Sequence, residues 1–277
     1  MNQPDYQDVP KEFPPDWASA YGQDNKGYWL ENDVYKQLLC FRWIPKGQFT
    51  MGSDKNEKGR YENEDQHQVI LSRGFWLAET TVTQALWLAV MGKNPSDFQE
   101  DDTANFPVEQ VSWDDAQKFI AKLNQHQPGL TFRLPSEAEW EYACRAGTKT
   151  PFNFEGELSV DKVNYRGTWG DYGSRGKGAK EATVEVKNYA ANAWELYEMH
   201  GNVWEWCADE YQHGLGNETT IDPRGVGVSS GRVLRGGSWL YFGRYARSAY
   251  RLWAGPDDRG NYIGFRLALV HKFQPEK

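Results

Sequence analysis

The sequence predicts a single α+β domain, with its helices in the first half and an irregular, loop-rich second half. Three segments between residues 83 and 147 carry helix signals, whereas the chain after about residue 150 consists of short strands and loops rich in Gly, Trp and Asn. The chain has 277 residues, including 13 Trp, 15 Tyr and 13 Phe. Each buried ring removes roughly 150–250 Å² from water, so rings can build a core despite the mean hydropathy of −0.80. The same abundance of aromatic residues excludes a disordered chain.

The first 40 residues are rich in Pro, Asp and Tyr, and we expect them to form a surface extension ahead of a domain that spans residues 41–271. The segment FRWIPKGQFTMGS alternates between apolar and polar residues on both sides of Pro45-Lys46-Gly47. This pattern predicts a β-hairpin that turns at these residues. Strand character returns in QVILSRGFWLAETTVT, after a charged loop at residues 53–66.

Three helices are predicted from their end signals. The first lies between Thr83 and Gly92, and the second begins after Ser112, a favourable N-cap residue. The third begins after Ser136, where Glu139 three residues later completes a capping box.

Charge and cysteine content exclude several classes of protein. A net charge of −8 argues against binding to nucleic acid or to an anionic membrane, and no apolar run reaches the roughly 18 residues of a membrane span. The beginning of the chain has no signal-peptide pattern, so we expect a cytoplasmic protein unless another protein carries it outside the cell. Cys40, Cys144 and Cys207 are odd in number and lack C-x-x-C spacing. They predict buried free thiols rather than disulfides or a zinc site.

Six motifs occur in order along residues 41–270: IPKGQFTMGS, ETTVTQALW, PVEQVSWDDA, FRLPSEAEWEYACRAGT, ELYEMHGNVWEWCAD and RVLRGGSW…RSAYR…IGFRLA. Together they resemble the formylglycine-generating-enzyme, or sulfatase-modifying factor, family. The resemblance implies an irregular, loop-rich variant of the C-type-lectin fold in one domain.

The resemblance also implies where catalysis would occur. Family enzymes that make formylglycine use two cysteines after the GGS motif to hold copper and to attack the substrate thiol. Tyr241 and Ala246 stand at those positions, and neither can act as a soft ligand for Cu(I). We therefore expect no copper and no catalytic residue. The alternative is an oxidoreductase or sulfur-transfer enzyme without the cysteine pair, which predicts a deep pocket near Ser238, Trp204 and Arg266.

A calcium site is a further implication of the resemblance, because the GNVWEW loop of family members wraps a calcium ion. The positions carried over as calcium ligands are Glu198, Gly201, Val203 and Glu205. Carbonyl and carboxylate oxygens suit calcium. The alternative is that the loop's Trp side chains pack in the core while Glu205 caps a loop.

Residues 236–266 resemble the variable region of proteins diversified by a diversity-generating retroelement, many of which use this fold. A frame recurs in this segment: Gly236-Gly237-Ser238-Trp239, Arg247-Ser248-Ala249, Arg251, Pro256, Arg259 and Ile263-Gly264-Phe265-Arg266. In such systems asparagine codons become codons ending in a pyrimidine, which cannot encode Trp, Met, Lys, Glu or Gln. Ten positions between the frame residues, without evident pattern, avoid all five types: Leu240, Tyr241, Phe242, Tyr245, Leu252, Ala254, Gly255, Gly260, Asn261 and Tyr262. Arg235, which precedes the frame, and the frame residues Arg247, Arg251 and Arg266 are expected to pair with acids or carbonyls.

These positions predict a binding surface for a protein or glycan ligand, without chemistry. Its residues, with Trp253 beside the ten, are Leu240, Tyr241, Phe242, Tyr245, Leu252, Trp253, Ala254, Gly255, Gly260, Asn261 and Tyr262. Aromatic rings with Gly and Asn between them are typical of antibody loops. Alternatively the rings complete the core, or the chain is an inactive homologue with one endogenous partner. Only a diversified protein would be accompanied by a reverse transcriptase gene and a near-copy of this segment.

Overall fold

Three β-sheets built from distant parts of the chain form the framework of the protein. The computed structural model describes residues 13, 15–100, 102–167, 172, 179–225 and 230–271. The strands of this described part, in chain order, are β1 (Ala20–Asp24), β2 (Gly27–Val34), β3 (Gln37–Ile44), β4 (Gly47–Met51), β5 (His67–Leu71), β6 (Phe75–Ala78), β7 (Leu130–Arg133), β8 (Trp204–Glu210), β9 (Thr220–Ile221), β10 (Arg232–Arg235), β11 (Leu252–Ala254), β12 (Ile263–Gly264) and β13 (Ala268–His271).

The order of the strands shows how the two halves of the chain interlock. A six-stranded sheet has the order β1-β2-β3-β6-β13-β7, so the last strand lies between two strands from the first half. A four-stranded sheet has the order β11-β10-β8-β12 and consists only of second-half strands. The third sheet, β4-β5-β9, again joins both halves. The fold is α+β, as predicted.

The three predicted helices are present as α1 (Gln84–Met91), α2 (Trp113–His126) and α3 (Glu137–Arg145). Thr83, Ser112 and Ser136 are their N-caps, and the latter two complete capping boxes. A 3₁₀ turn at Gly243–Ala246 is the only helical segment after residue 150 in the described part of the chain. No helix among the described residues has the length and apolar character needed to cross a bilayer.

The main core lies between the six-stranded sheet and the first two helices. Trp87 of α1 stacks on Phe119 of α2, with ring centroids 5.1 Å apart, and the edge of Phe265 meets both rings. Trp204 and Trp206 of β8 are fully buried in the same cluster. The aromatic residues therefore supply the interior that the aliphatic content alone could not.

Two local predictions differ from the structure. Residues 20–40 of the expected surface extension form β1, β2 and the start of β3, and Leu30 and Val34 are fully buried. The turn between β2 and β3 places Tyr35 and Lys36 at positive φ, a geometry usually signalled by Asn-Gly, so the sequence gives no turn signal. Residues 1–12 and 14 of that extension lie outside the described residues.

The hairpin predicted at Pro45-Lys46-Gly47 is wrong. β3 pairs with β2 and β6, whereas β4 pairs with β5 in another sheet. Pro45 has no N–H to donate to a strand ladder. The segment therefore acts as a corner that takes the chain from one sheet to the next.

Buried arginine–glutamate pairs join segments that are distant in the chain, and the pair of Arg266 with Glu205 lies beside the ladder of β8 and β12. Four frame arginines are almost completely buried, and each pairs with one or more carboxylates: Arg235 with Glu141 and Glu137, Arg247 with Glu64 and Glu57, Arg251 with Glu137, and Arg266 with Glu205. The pairing predicted for these arginines is confirmed. Bidentate pairs of this kind fix the orientation of a loop as well as its distance from a neighbour.

Replacing Arg266 by Met should lower the free energy of unfolding by about 3–5 kcal/mol, because Glu205 would remain buried without its counter-charge. Urea denaturation measures this loss. The double variant with Glu205→Leu should recover much of it, since no charge is then stranded. Lys118→Met removes an exposed pair with Asp115 and should cost under about 0.5 kcal/mol. A loss for Arg266→Met as small as that of Lys118→Met would contradict this account.

Candidate functional site

A cluster of tyrosine rings lies where the variable segment folds back on itself. Tyr241 meets Tyr245 and Tyr262 edge to face, with centroids 5.7 and 5.5 Å apart. All three rings are half-buried and pack against the main core. Their inner sides therefore contribute to stability, while their outer parts remain available to a ligand.

The floor of this tyrosine cluster is Trp204 of β8, which is fully buried. Its ring meets Tyr241 edge to face at 5.5 Å and lies 5.8 Å from Tyr250. Burial, with a contribution from the neighbouring Tyr262, raises the pKa of the Tyr241 hydroxyl to about 12. The hydroxyl is therefore protonated at neutral pH and can donate a hydrogen bond.

The frame determines where the tyrosines lie. Gly237 has a positive φ of 76°, and a Cβ there would come 2.9 Å from the Cα of Ala246. Only glycine allows this close approach, which brings the 3₁₀ turn against the GGS segment. Trp239 then ties the two ends of the region together, because its Nε1 donates to the carbonyl of Asn261 at 2.9 Å.

The predicted surface residues differ in exposure. Trp253 is 54% exposed, and its ring lies over Gly231 and beside Tyr211, with centroids 6.0 Å apart in the latter pair. Gly260 is buried, and a Cβ there would come 2.8 Å from the Tyr262 ring. The remaining predicted residues are half-buried: Leu240, Tyr241, Phe242, Tyr245, Leu252, Ala254, Gly255, Asn261 and Tyr262. These nine residues are thus partly accessible to solvent and partly packed against the rest of the protein.

Two tyrosines that the sequence analysis did not select join the cluster. Tyr61, from the charged loop between β4 and β5, lies 5.1 Å from Tyr250 and 6.2 Å from Tyr245, ring centroid to ring centroid. Tyr250 lies within the frame and meets Tyr245 at 4.9 Å. No sequence signal marks Tyr61, because its neighbours in the chain are mostly charged or polar.

The positions of the family's two cysteines offer no nucleophile here. Tyr241 belongs to the tyrosine cluster, and Ala246 lies above the buried side chain of His200. Nδ1 of His200 lies 2.6 Å from the Ala246 carbonyl, and Nε2 accepts from the N–H of Asn153 at 3.1 Å. These partners assign the proton to Nδ1, and burial lowers the pKa of His200 to about 4. His200 thus holds the loop together as a neutral ring.

Cys144 lies beside His200 without being activated by it. Its Sγ is 3.8 Å from Nε2 of His200 and 3.7 Å from Oγ of Ser248. Burial raises the pKa of the Cys144 thiol to about 12 and raises that of Cys207 well above its usual range. Since the thiolate is the nucleophile, both residues are inert under physiological conditions.

The enzyme alternative predicts a deep pocket near Ser238, Trp204 and Arg266, but these residues do not line an open pocket. Ser238, Trp204 and Arg266 are all buried, and Arg266 is fully used in its ion pair and in bonds to three carbonyls. Two polar cavities lie elsewhere, between the charged loop, the three-stranded sheet and Asn217. Among the described residues, no group of three or more His, Cys, Asp or Glu side chains could hold a metal ion.

The two carboxylates of the predicted calcium site are already bound by protein groups. Glu205 accepts from Nε and Nη2 of Arg266 at 2.6 and 2.7 Å and from Nε1 of Trp140 at 2.8 Å. Glu198 accepts the backbone N–H groups of residues 187 and 189. A calcium ion would have to compete with a guanidinium for Glu205, so this donor set does not fit the ion. Calcium at Glu198, Gly201, Val203 and Glu205 thus stays a prediction, which the ion pair of Glu205 does not favour.

Comparison with known proteins identifies relatives of this chain. The formylglycine-generating enzyme of Mus musculus is 32% identical over 213 residues, which cover 74% of this chain and 54% of the relative. The chain therefore spans about half the length of that enzyme.

Two solved structures share the fold. Treponema denticola variable protein 1 has a TM-score of 0.76 and 29% identity, covering 87% of this chain and 98% of that one. PvdO from Pseudomonas aeruginosa has a TM-score of 0.72 and 26% identity, covering 91% and 98%. The model of the family described as the sulfatase-modifying factor enzyme 1-like domain matches residues 30–270. The chain belongs to this family.

Proposed function

We propose that this protein binds a protein or glycan ligand through the aromatic surface of residues 240–262 and performs no chemistry there. The observation that carries the proposal is the half-buried tyrosine cluster, which occupies the place where the family's enzymes hold their cysteine pair. Tyrosine offers a large, rigid contact area at low entropic cost, and its hydroxyl can donate and accept hydrogen bonds.

The separation of frame and surface supports diversification of this site. The frame residues Arg247, Ser248 and Arg251 are buried and bonded to other segments, while Tyr241 and Tyr245, which precede them in the chain, are half-buried. Substitutions at half-buried positions remove fewer core contacts than substitutions in the frame. A chain of this design tolerates many side chains at the surface positions. The similarity to a protein named a variable protein supports the same inference.

An enzyme of the same family is the competing function, and the names of the curated relatives favour it. It would require a nucleophile or metal that replaces the cysteine pair. The buried, protonated thiols of Cys144 and Cys207 and the closed surroundings of Ser238 argue against this alternative.

Sequencing the DNA downstream of the gene should reveal a near-copy of the codons for residues 236–266. Mismatches between the two copies should fall on adenines of the near-copy and at the surface positions such as Tyr241, Tyr245 and Tyr262. The frame codons serve as the internal control and should match. A genome that lacks both the near-copy and a reverse transcriptase gene would contradict diversification and favour a homologue with a fixed ligand.

Thiol titration with a chromogenic disulfide at pH 8 tests the enzyme alternative. Cys144 and Cys207 should not react within minutes in the native protein, because burial keeps both thiols protonated. The variant Cys40→Ser removes the half-buried thiol and should leave no native reactivity, while two thiols should react after unfolding in guanidinium. Rapid reaction of either remaining thiol in the native variant would instead indicate an activated cysteine.

A further inference from the structure

Residues 57–64 are the part of the charged loop that lies against the tyrosine cluster. They are outside the variable region. Tyr61 is half-buried, and its hydroxyl lies 3.5 Å from that of Tyr245. Burial, and the contact with Tyr245, raise the pKa of the Tyr61 hydroxyl to about 12. It therefore stays protonated and presents the same ring and donor as the tyrosines opposite.

The main chain at Tyr61 is held by a buried carboxylate. Glu64 is fully buried, and its Oε1 accepts the N–H of Tyr61 at 3.3 Å. Its Oε2 accepts from Oγ of Ser53 at 2.6 Å, and the N–H of Glu64 donates to the Tyr61 carbonyl at 3.3 Å. The loop thus closes on itself around one glutamate.

Arg247 of the frame connects this loop to the variable region. Its Nη1 and Nη2 donate to Glu64 at 2.7 and 2.6 Å, Nη1 also reaches Glu57 at 2.7 Å, and Nη2 reaches the carbonyl of Gly59 at 2.7 Å. Its Nε donates to the carbonyl of Arg244, within the 3₁₀ turn. One guanidinium therefore fixes the loop relative to the turn that carries Tyr245.

The position of Tyr61 does not depend on which residue occupies position 245. Its ring packs edge to face on Tyr250, which is only 8% exposed and belongs to the frame region. Replacement of Tyr245 by another side chain leaves this packing and the Arg247 bonds in place. Tyr61 thus has supports that do not involve the side chain at position 245.

We propose that residues 57–64 form a fixed wall of the binding surface, with Tyr61 as its contact residue and with Arg247 and Glu64 as the residues that position it. This inference rests on the proposed function and extends it beyond the variable segment. Every ligand that binds over Tyr245 meets the Tyr61 ring at the same place. Buried aromatic contacts of this kind carry a large share of the binding energy at interfaces.

The test uses the full chain displayed on yeast, with positions 241, 245, 252 and 262 randomised and with lysozyme and serum albumin as probe ligands. Tyr61→Ala in the selected binders should weaken binding about tenfold or more in the majority of them, as expected for a central aromatic contact. The matched control is Tyr21→Ala, which removes a half-exposed tyrosine from β1 and should change affinity less than about twofold. Thermal unfolding of each variant checks that the fold is retained.

Equal affinities for the Tyr61→Ala and Tyr21→Ala variants across the binders would overturn the wall while leaving the proposed binding function intact. Failure to select any binder to either probe would count against the proposed function itself. The proposal that residues 57–64 form a wall of the binding surface would then be rejected as well. If Tyr61→Ala does not fold, Tyr61→Leu keeps more of the packing on Tyr250 and carries the same expectation. Tyr61→Phe, which retains the ring, should preserve most of the affinity.

Discussion

The carboxylate of Glu205 receives three N–H donors in the interior, two from Arg266 and one from Trp140. Other pairs of this kind connect the two halves of the chain, and the pair between Arg247 and Glu64 bridges 183 positions. Loops without strand partners cannot fix one another through backbone ladders, so charge-assisted bonds take over that task. Removal of one partner strands a charge in the interior, which makes these contacts obligatory.

These pairs also explain how the surface can vary while the fold persists. Buried arginines lie immediately beside the tyrosines, and Arg247 follows Tyr245 by two residues along the chain. Bonds to distant segments therefore hold the backbone on both sides of each surface position. The surface side chains lie on segments with little regular secondary structure, so their replacement disrupts few backbone hydrogen bonds. Within the same 31-residue stretch, the buried arginines stabilise the fold and the half-buried tyrosines form the proposed binding surface.

Features set by neighbouring residues could be predicted from the sequence, and features set by distant partners could not. The helix starts after Thr83, Ser112 and Ser136 follow from local capping, and the structure confirms them. The prediction of a hairpin at residues 41–51 was wrong because β4 pairs with β5, and the sequence of β4 does not specify this partner. The spacing of the frame led to the predicted surface positions, whereas Tyr61 lies in a loop whose composition indicates only exposure.

The contact between Gly260 and the Tyr262 ring has a consequence for how this surface can evolve. The ring of Tyr262 packs against the backbone of Gly260, and the Cβ of any other residue at position 260 would lie 2.8 Å from that ring. The two positions therefore cannot vary independently, since a larger residue at one requires a smaller or reoriented residue at the other. The set of usable surfaces is smaller than the product of the choices at each position. In the proposed binding surface, positions 260 and 262 therefore act as one unit of variation.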